Sequence, residues 1–162
     1  MNFTVHKNVI PEELREKLSY QPIMSNLLWK EGRQKTGYMT CDMKQSHIKG
    51  LLPTTEELFT LMGTTDYAKR LSWDSTLIEY RHGAYIAPHK DEWLSIPPLR
   101  HLRINILLAQ QGAGGKLMIG GQEVHLEPRD GVFFYPDEDE HEVTPVIEGI
   151  RLVWSVGVLW ET

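Results

Sequence analysis

His89 and Asp91 stand two positions apart in Ala87-Pro88-His89-Lys90-Asp91-Glu92, and His141 follows fifty residues after Asp91. Residues at i and i+2 of an extended segment share a face, so this imidazole and this carboxylate can reach one ion. A later strand can carry the second imidazole to the same place. Two imidazoles and one carboxylate cover one face of an octahedral iron(II) centre and leave three positions for a cosubstrate and dioxygen. Ten residues beyond His141, Arg151 interrupts an otherwise apolar run. A buried cation without an anion is costly, so this position asks for a carboxylate, which a ligand could supply. Taken singly, His-x-Asp also describes a surface histidine beside a solvated aspartate, and Arg151 also describes a strand-edge residue in a solvated ion pair. The interval between His141 and Arg151 favours the metal reading.

Other chemistries have less behind them. Gly112-Ala113-Gly114-Gly115-Lys116 lacks the spacing of a phosphate loop and a hydroxyl residue after its lysine, and reads as a turn. Cys41 stands in no nucleophile motif, and as the single cysteine it excludes an internal disulfide. No CxxC or HExxH pattern supports zinc. A formal charge of −5 gives no general basic footprint for nucleic acid. The run Asp137-Glu138-Asp139-Glu140 reads as a solvated loop; at the mouth of a site it would favour basic or neutral substrates. The N-terminus shows no apolar signal core and no run reaches membrane-spanning length, so a soluble, cytoplasmic protein with no membrane partner is expected.

At 162 residues, with 41% hydrophobic and 24% charged residues, the chain is expected to be one domain over 1–162 with a substantial core. Helix signals fall in the first half, 1–75. Pro11-Glu12-Glu13 opens a run with Leu14 and Leu18 four apart. Thr54-Thr55-Glu56-Glu57 is a capping box for a helix through Leu58, Leu61 and Met62 to Gly63, and Tyr67–Leu71 suggests a short turn. A short strand is expected within 36–44. From 76 to 160 short apolar runs recur between turn signals, at 76–80, 84–88, 102–109, 116–119, 122–126, 132–135, 142–147 and 150–160. Gly120-Gly121 is a two-residue hairpin signal. The pattern predicts an α+β, mainly β protein: a jelly roll, or double-stranded β-helix, with N-terminal helices packed on one sheet.

In the last run the side chains must alternate. Ile150, Leu152, Trp154, Val156, Val158 and Trp160 form an apolar face suited to packing. Arg151, Val153, Ser155, Gly157 and Leu159 form a mixed face suited to the wall of a pocket.

Tyr80-Arg81-His82-Gly83-Ala84-Tyr85-Ile86-Ala87-Pro88-His89-Lys90-Asp91 resembles the Tyr-x-x-Gly-x-x-Tyr-x-x-His-x-Asp stretch of the prolyl 4-hydroxylase-like 2-oxoglutarate and Fe(II)-dependent dioxygenases. Gly114-Gly115-Lys116-Leu117 is similar to that family's Gly-Gly-x-Leu strand entry. Leu126 through Phe134 is similar to its Pro-x-x-Gly-x-x-x-x-Phe region, and His141-Glu142-Val143-Thr144-Pro145-Val146 with Arg151 to its His-x-Val-x-Pro-Val and basic-residue signature. The motifs stand in order over roughly residues 75 to 160.

The resemblance implies that His89, Asp91 and His141 ligate Fe(II), and that Arg151 pairs with the far carboxylate of 2-oxoglutarate. A guanidinium suits that task because its planar fork matches a carboxylate. It implies a hydrogen bond from Tyr80 to the same carboxylate. Ser155, Asn105 and Tyr85 are further pocket candidates, each with a purely structural alternative. The implied activity is hydroxylation of a C–H bond with release of succinate and CO2, supported by ascorbate, on a prolyl residue of a peptide or protein. A free amino acid or other small molecule is the rival substrate. Nucleic-acid demethylation is disfavoured because those relatives carry a second arginine six positions after the first, where this chain has Gly157. A cupin-like metal-binding protein without turnover is the alternative of a different class. The stretch Trp93–Leu99 is expected to be a loop near the mouth.

Overall fold

The computed structural model describes residues 3–19, 27–43, 70–92 and 99–161. Among them are the strands β1 (Phe3–His6), β2 (Lys30–Glu31), β3 (Met39–Asp42), β4 (Arg70–Tyr80), β5 (Ile86–His89), β6 (Leu99–Gly114), β7 (Leu117–Ile119), β8 (Gln122–Val124), β9 (Gly131–Phe134), β10 (His141–Val143) and β11 (Val146–Glu161), and one helix, α1 (Glu12–Ser19). The strands make two antiparallel sheets, one ordered β1-β9-β6-β11-β4-β3-β2 and the other β5-β10-β7-β8. This is the jelly roll expected from the recurring short apolar runs.

The central strands of the larger sheet are buried on both faces. Leu77, Leu102, Ile104, Ile106, Leu108, Leu152, Trp154, Val156 and Val158 pack on one side with Val9, Ile10 and Leu18. Helix α1 lies on that side, where Arg15 donates to the Leu108 carbonyl at 3.3 Å. Glu12 and Glu13 in its first turn and Lys17 in its last complement the helix dipole. On the other side Tyr80, Leu107, Val132, Phe134 and Val153 meet Leu117, Ile119, Val124 and Val143 of the smaller sheet. The alternation read from the last run thus separates the two cores.

One irregularity sets the pocket. Leu152 pairs with Ala109, but Val153 pairs with Leu107, so Leu108 is an extra residue in β6. Leu108 and Ala109 both turn to the helix side, and Gln110 returns to the face of Leu107. Such a bulge redirects every side chain beyond it.

All eight expected strands are present, and Gly120-Gly121 closes the β7–β8 hairpin with positive φ at both residues. The short strand expected within 36–44 is β3. Four expectations need correction. The first half is not simply helical: β1, β2, β3 and the start of β4 join the larger sheet, and α1 is the one helix among the described residues. Arg70 and Leu71 open β4 where a turn was expected. The segment Gln111–Gly114 continues β6 instead of turning, because it pairs with residues 146–150 of β11. The helix from Thr54 to Gly63 and residues 93–98 of the loop expected over Trp93–Leu99 lie outside the described residues, and Leu99 opens β6 instead. Among the described residues no helix is long and apolar enough to cross a membrane.

Candidate metal centre and cosubstrate pocket

Strands β5 and β10 pair so that His89 and His141 are direct register partners. Asp91 follows β5, and its amide donates to the Pro136 carbonyl at 2.7 Å, which fixes the chain just beyond the strand. One donor atom from each of His89, Asp91 and His141 lies within 4.8 Å of the others. Asp91 Oδ1 stands 3.5 Å from His89 Nε2 and 3.9 Å from His141 Nε2. The two imidazole centroids are 4.3 Å apart, and Phe134 meets His141 edge-on at 5.0 Å.

Both imidazoles are oriented by their other nitrogen. His89 Nδ1 lies 2.9 Å from the Ala87 carbonyl and His141 Nδ1 lies 3.0 Å from the Asp139 carbonyl. A carbonyl can only accept, so each Nδ1 carries a proton, and each Nε2 is the nitrogen left to a metal once any proton it shares with Asp91 is displaced, the arrangement that metal-ligating histidines use. Gln34 adds a further brace, since its Oε1 accepts from the Ala87 amide at 2.7 Å.

The electrostatics fit a divalent cation. Burial on its own would raise the Asp91 pKa, but the hydrogen bond with His89 and the positive charge of Arg103 hold the carboxyl well below the usual range. The same hydrogen bond with Asp91 raises His89 against its burial, whereas burial lowers His141. An ionised carboxylate and two Nε2 donors converging on one point suit iron(II) and leave the remaining directions open.

Along the larger sheet, away from the triad, lies Arg151. It is 5% exposed, and burial lowers its pKa. Its Nη1 donates to Gln110 Oε1 at 2.8 Å, its Nε has no hydrogen-bond partner, and no carboxylate among the described residues pairs with it. An interior guanidinium left in this state is costly unless an anion arrives. Gly115 lies against its stem: a Cβ there would crowd Val146 Cγ2 at 2.9 Å and meet Arg151 Cδ at 3.4 Å. Tyr80 is its register partner on β4. The Tyr80 phenol is 2% exposed, raised by burial and partly countered by Arg151, and it stacks on Tyr38 at 5.8 Å.

The remaining candidates separate. Ser155 is buried on the wall, with its Oγ 3.5 Å from Arg103 Nη1 rather than beside Arg151. Asn105 is its register partner, and Asn105 Oδ1 is buried without a hydrogen-bond partner among the described residues. Tyr85 is 38% exposed, with its backbone tied to Thr36, outside this cluster. Sequence reasoning passed over Gln110, Gln34, Asp74 and Arg103. For Arg103 a signal existed, because it shares strand parity with Asn105. For Gln110 none did, because the bulge shifts its parity.

No protein-family model matches the chain, and no curated protein matches it by sequence. Solved structures do match. A prolyl-4-hydroxylase from Pseudomonas putida aligns over 99% of this chain and 93% of its own, with a TM-score of 0.70 and 18% identity. HygX from Streptomyces hygroscopicus, solved with nickel and 2-oxoglutarate bound, aligns over 97% of this chain and 82% of its own, at 0.74 and 10%. The 2-oxoglutarate-dependent epimerase SnoN from nogalamycin biosynthesis aligns over 98% and 78%, at 0.75 and 13%. The chain has the jelly-roll fold that these 2-oxoglutarate-dependent proteins share.

Proposed function

We propose that the protein is an Fe(II)- and 2-oxoglutarate-dependent dioxygenase that hydroxylates a C–H bond, with a prolyl residue of a peptide or protein as substrate. The observation that carries this reading is the pairing of an open two-histidine, one-aspartate set with a buried arginine that meets no carboxylate among the described residues. A protein that only stored metal would have no use for the second feature.

Bound together, iron(II) and 2-oxoglutarate supply an oxidant from dioxygen, with succinate and CO2 as co-products. The chain's own residues do the rest. His89, Asp91 and His141 hold the metal from one side and leave the other side free. Arg151 takes the distant carboxylate in its planar fork, with Gln110 steadying Nη1 and Tyr80 near enough to add a hydrogen bond. Leu107, Val132, Phe134 and Val153 pack with Tyr80 in one apolar cluster, a surrounding that would keep water from the reacting atoms.

The likeness to prolyl hydroxylases and the Tyr-x-x-Gly-x-x-Tyr-x-x-His-x-Asp pattern support a peptidyl proline. The likeness to HygX, also solved with hygromycin B bound, and to SnoN supports a second reading, a free amino acid or other small molecule. Incubation of the protein with iron(II), 2-oxoglutarate and ascorbate, against proline-containing peptide libraries and free amino acids, tests both. The expected result is succinate release matched one-to-one by the mass gain of a single oxygen atom, lost in Asp91→Ala. Iron binding with no substrate-stimulated succinate across both panels would favour the non-catalytic metal binder.

A further inference from the structure

Farther along the wall, in the direction opposite to Arg151, Gly157 of β11 lies in register between Asp74 of β4 and Arg103 of β6. Its bare Cα lets the two flanking side chains cross over it. A Cβ at this position would stand 2.7 Å from Asp74 Oδ1 and 3.3 Å from Arg103 Nη1. Asp74 Oδ1 accepts from the Gly157 amide at 2.9 Å and from Arg103 Nη1 at 2.6 Å. Ser155 Oγ lies 3.5 Å from the same Nη1. The other terminal nitrogen of the fork, Nη2, stands 3.5 Å from Asp91 Oδ2.

The two oxygens of Asp91 are therefore divided. Oδ1 faces the imidazole Nε2 atoms, and Oδ2 faces a guanidinium that is itself anchored. A carboxylate free to turn can offer a cation both oxygens and so occupy a direction the chemistry needs open. One held at Oδ2 offers a single oxygen. We propose that Arg103, braced by Asp74 over Gly157, is a positioning residue that fixes Asp91 as a one-oxygen metal ligand. This rests on the assignment of His89, Asp91 and His141 as the metal set. Only a planar fork can span both carboxylates, because an ammonium is a point donor.

The role is separable from that of a plain ion pair tying β4 to β6. Full-length protein, Arg103→Met and Arg103→Lys are titrated with Co(II), reading affinity and the visible ligand-field spectrum, and the thermal midpoint of each metal-free protein is recorded. Arg103→Met is expected to bind Co(II) about 10- to 100-fold more weakly, the usual consequence of removing a group that orients a ligand, with an altered spectrum and a folded apoprotein. Arg103→Lys is expected to fall between the two, and it decides the matter if the methionine variant does not fold. Native affinity and spectrum in a folded Arg103→Met, or an Arg103→Lys that matches the native protein, would overturn the inference. Failure of the native protein to bind Co(II) removes the ligand assignment and this inference with it.

Discussion

The pocket wall carries two arginines in opposite circumstances. Arg103 contacts two carboxylates, Asp74 at 2.6 Å and Asp91 at 3.5 Å, and a serine hydroxyl. Arg151 is the more deeply buried of the two and, among the described residues, has one amide oxygen, from Gln110, and no carboxylate. If burial alone governed partnering, the order would be reversed, since the deeper cation carries the larger desolvation cost. The difference marks what each is for. A guanidinium satisfied from within the chain is part of the scaffold, and one left short of an anion in the interior is a receptor.

This contrast can be broken most sharply at Arg151. Arg151→Ala should raise the 2-oxoglutarate requirement by roughly a hundredfold, since charge-assisted hydrogen bonds contribute about 1.5–3 kcal/mol each. Co(II) affinity should stay within about threefold, because no metal ligand is touched. An unchanged Michaelis constant for 2-oxoglutarate would remove the receptor role. Protons give the complementary test, acting at the metal end. Metal must displace any proton on the ligands. The hydrogen bond to Asp91 raises the folded-state pKa of His89, so its proton is retained to higher pH than on an ordinary imidazole. Co(II) affinity should therefore fall as pH is lowered from about 8 to about 5, with the decline starting at the upper side of the usual histidine range. A flat affinity profile would argue against His89 as a ligand.

A subtler variant gives Arg151 the circumstance of Arg103. Gln110→Glu places an internal carboxylate 2.8 Å from Nη1 if the rotamer is kept. The expected result is a more heat-stable metal-free protein that needs about tenfold more 2-oxoglutarate, as an internal anion competes with the external one. Higher stability with an unchanged 2-oxoglutarate requirement would mean that the cosubstrate's carboxylate goes elsewhere. The smallest effect is expected at Ser155, whose hydroxyl is 3.5 Å from Arg103 and not at Arg151. Ser155→Ala should change either ligand's affinity by no more than a few-fold, measured by the same titrations, and a larger loss confined to 2-oxoglutarate would return Ser155 to the cosubstrate end.

How much of this was legible in the sequence depended on the range of the forces involved. The β5–β10 pair was legible because His89 and Asp91 sit on a local period of two and the glycine-punctuated strands around them announce themselves. The helix α1 announced itself through Pro11, its acidic first turn and the Leu14–Leu18 spacing. Strand β1 did not, since Phe3–His6 becomes a strand by finding the free edge of β9, a contact more than 120 residues away in sequence. The Asp74–Arg103 bridge was equally hidden. Arg103 shares the parity of Asn105, but nothing near it in sequence points to Asp74, and only the register of three strands, with a glycine in the middle one, brings them together.

The extra residue in β6 has a consequence for how this wall can change over time. Substitutions along Leu107–Gln110 trade one side chain for another, whereas the two-against-one step lets the strand lose a residue without changing which face the rest present. Loss of Leu108 would leave Ala109 alone opposite Leu152 and keep Gln110 opposite Arg151, on the pocket face. The three metal donors and Arg103, which lie upstream of the step or on other strands, would keep their places too, so the wall absorbs a one-residue change in length here with its polar positions intact.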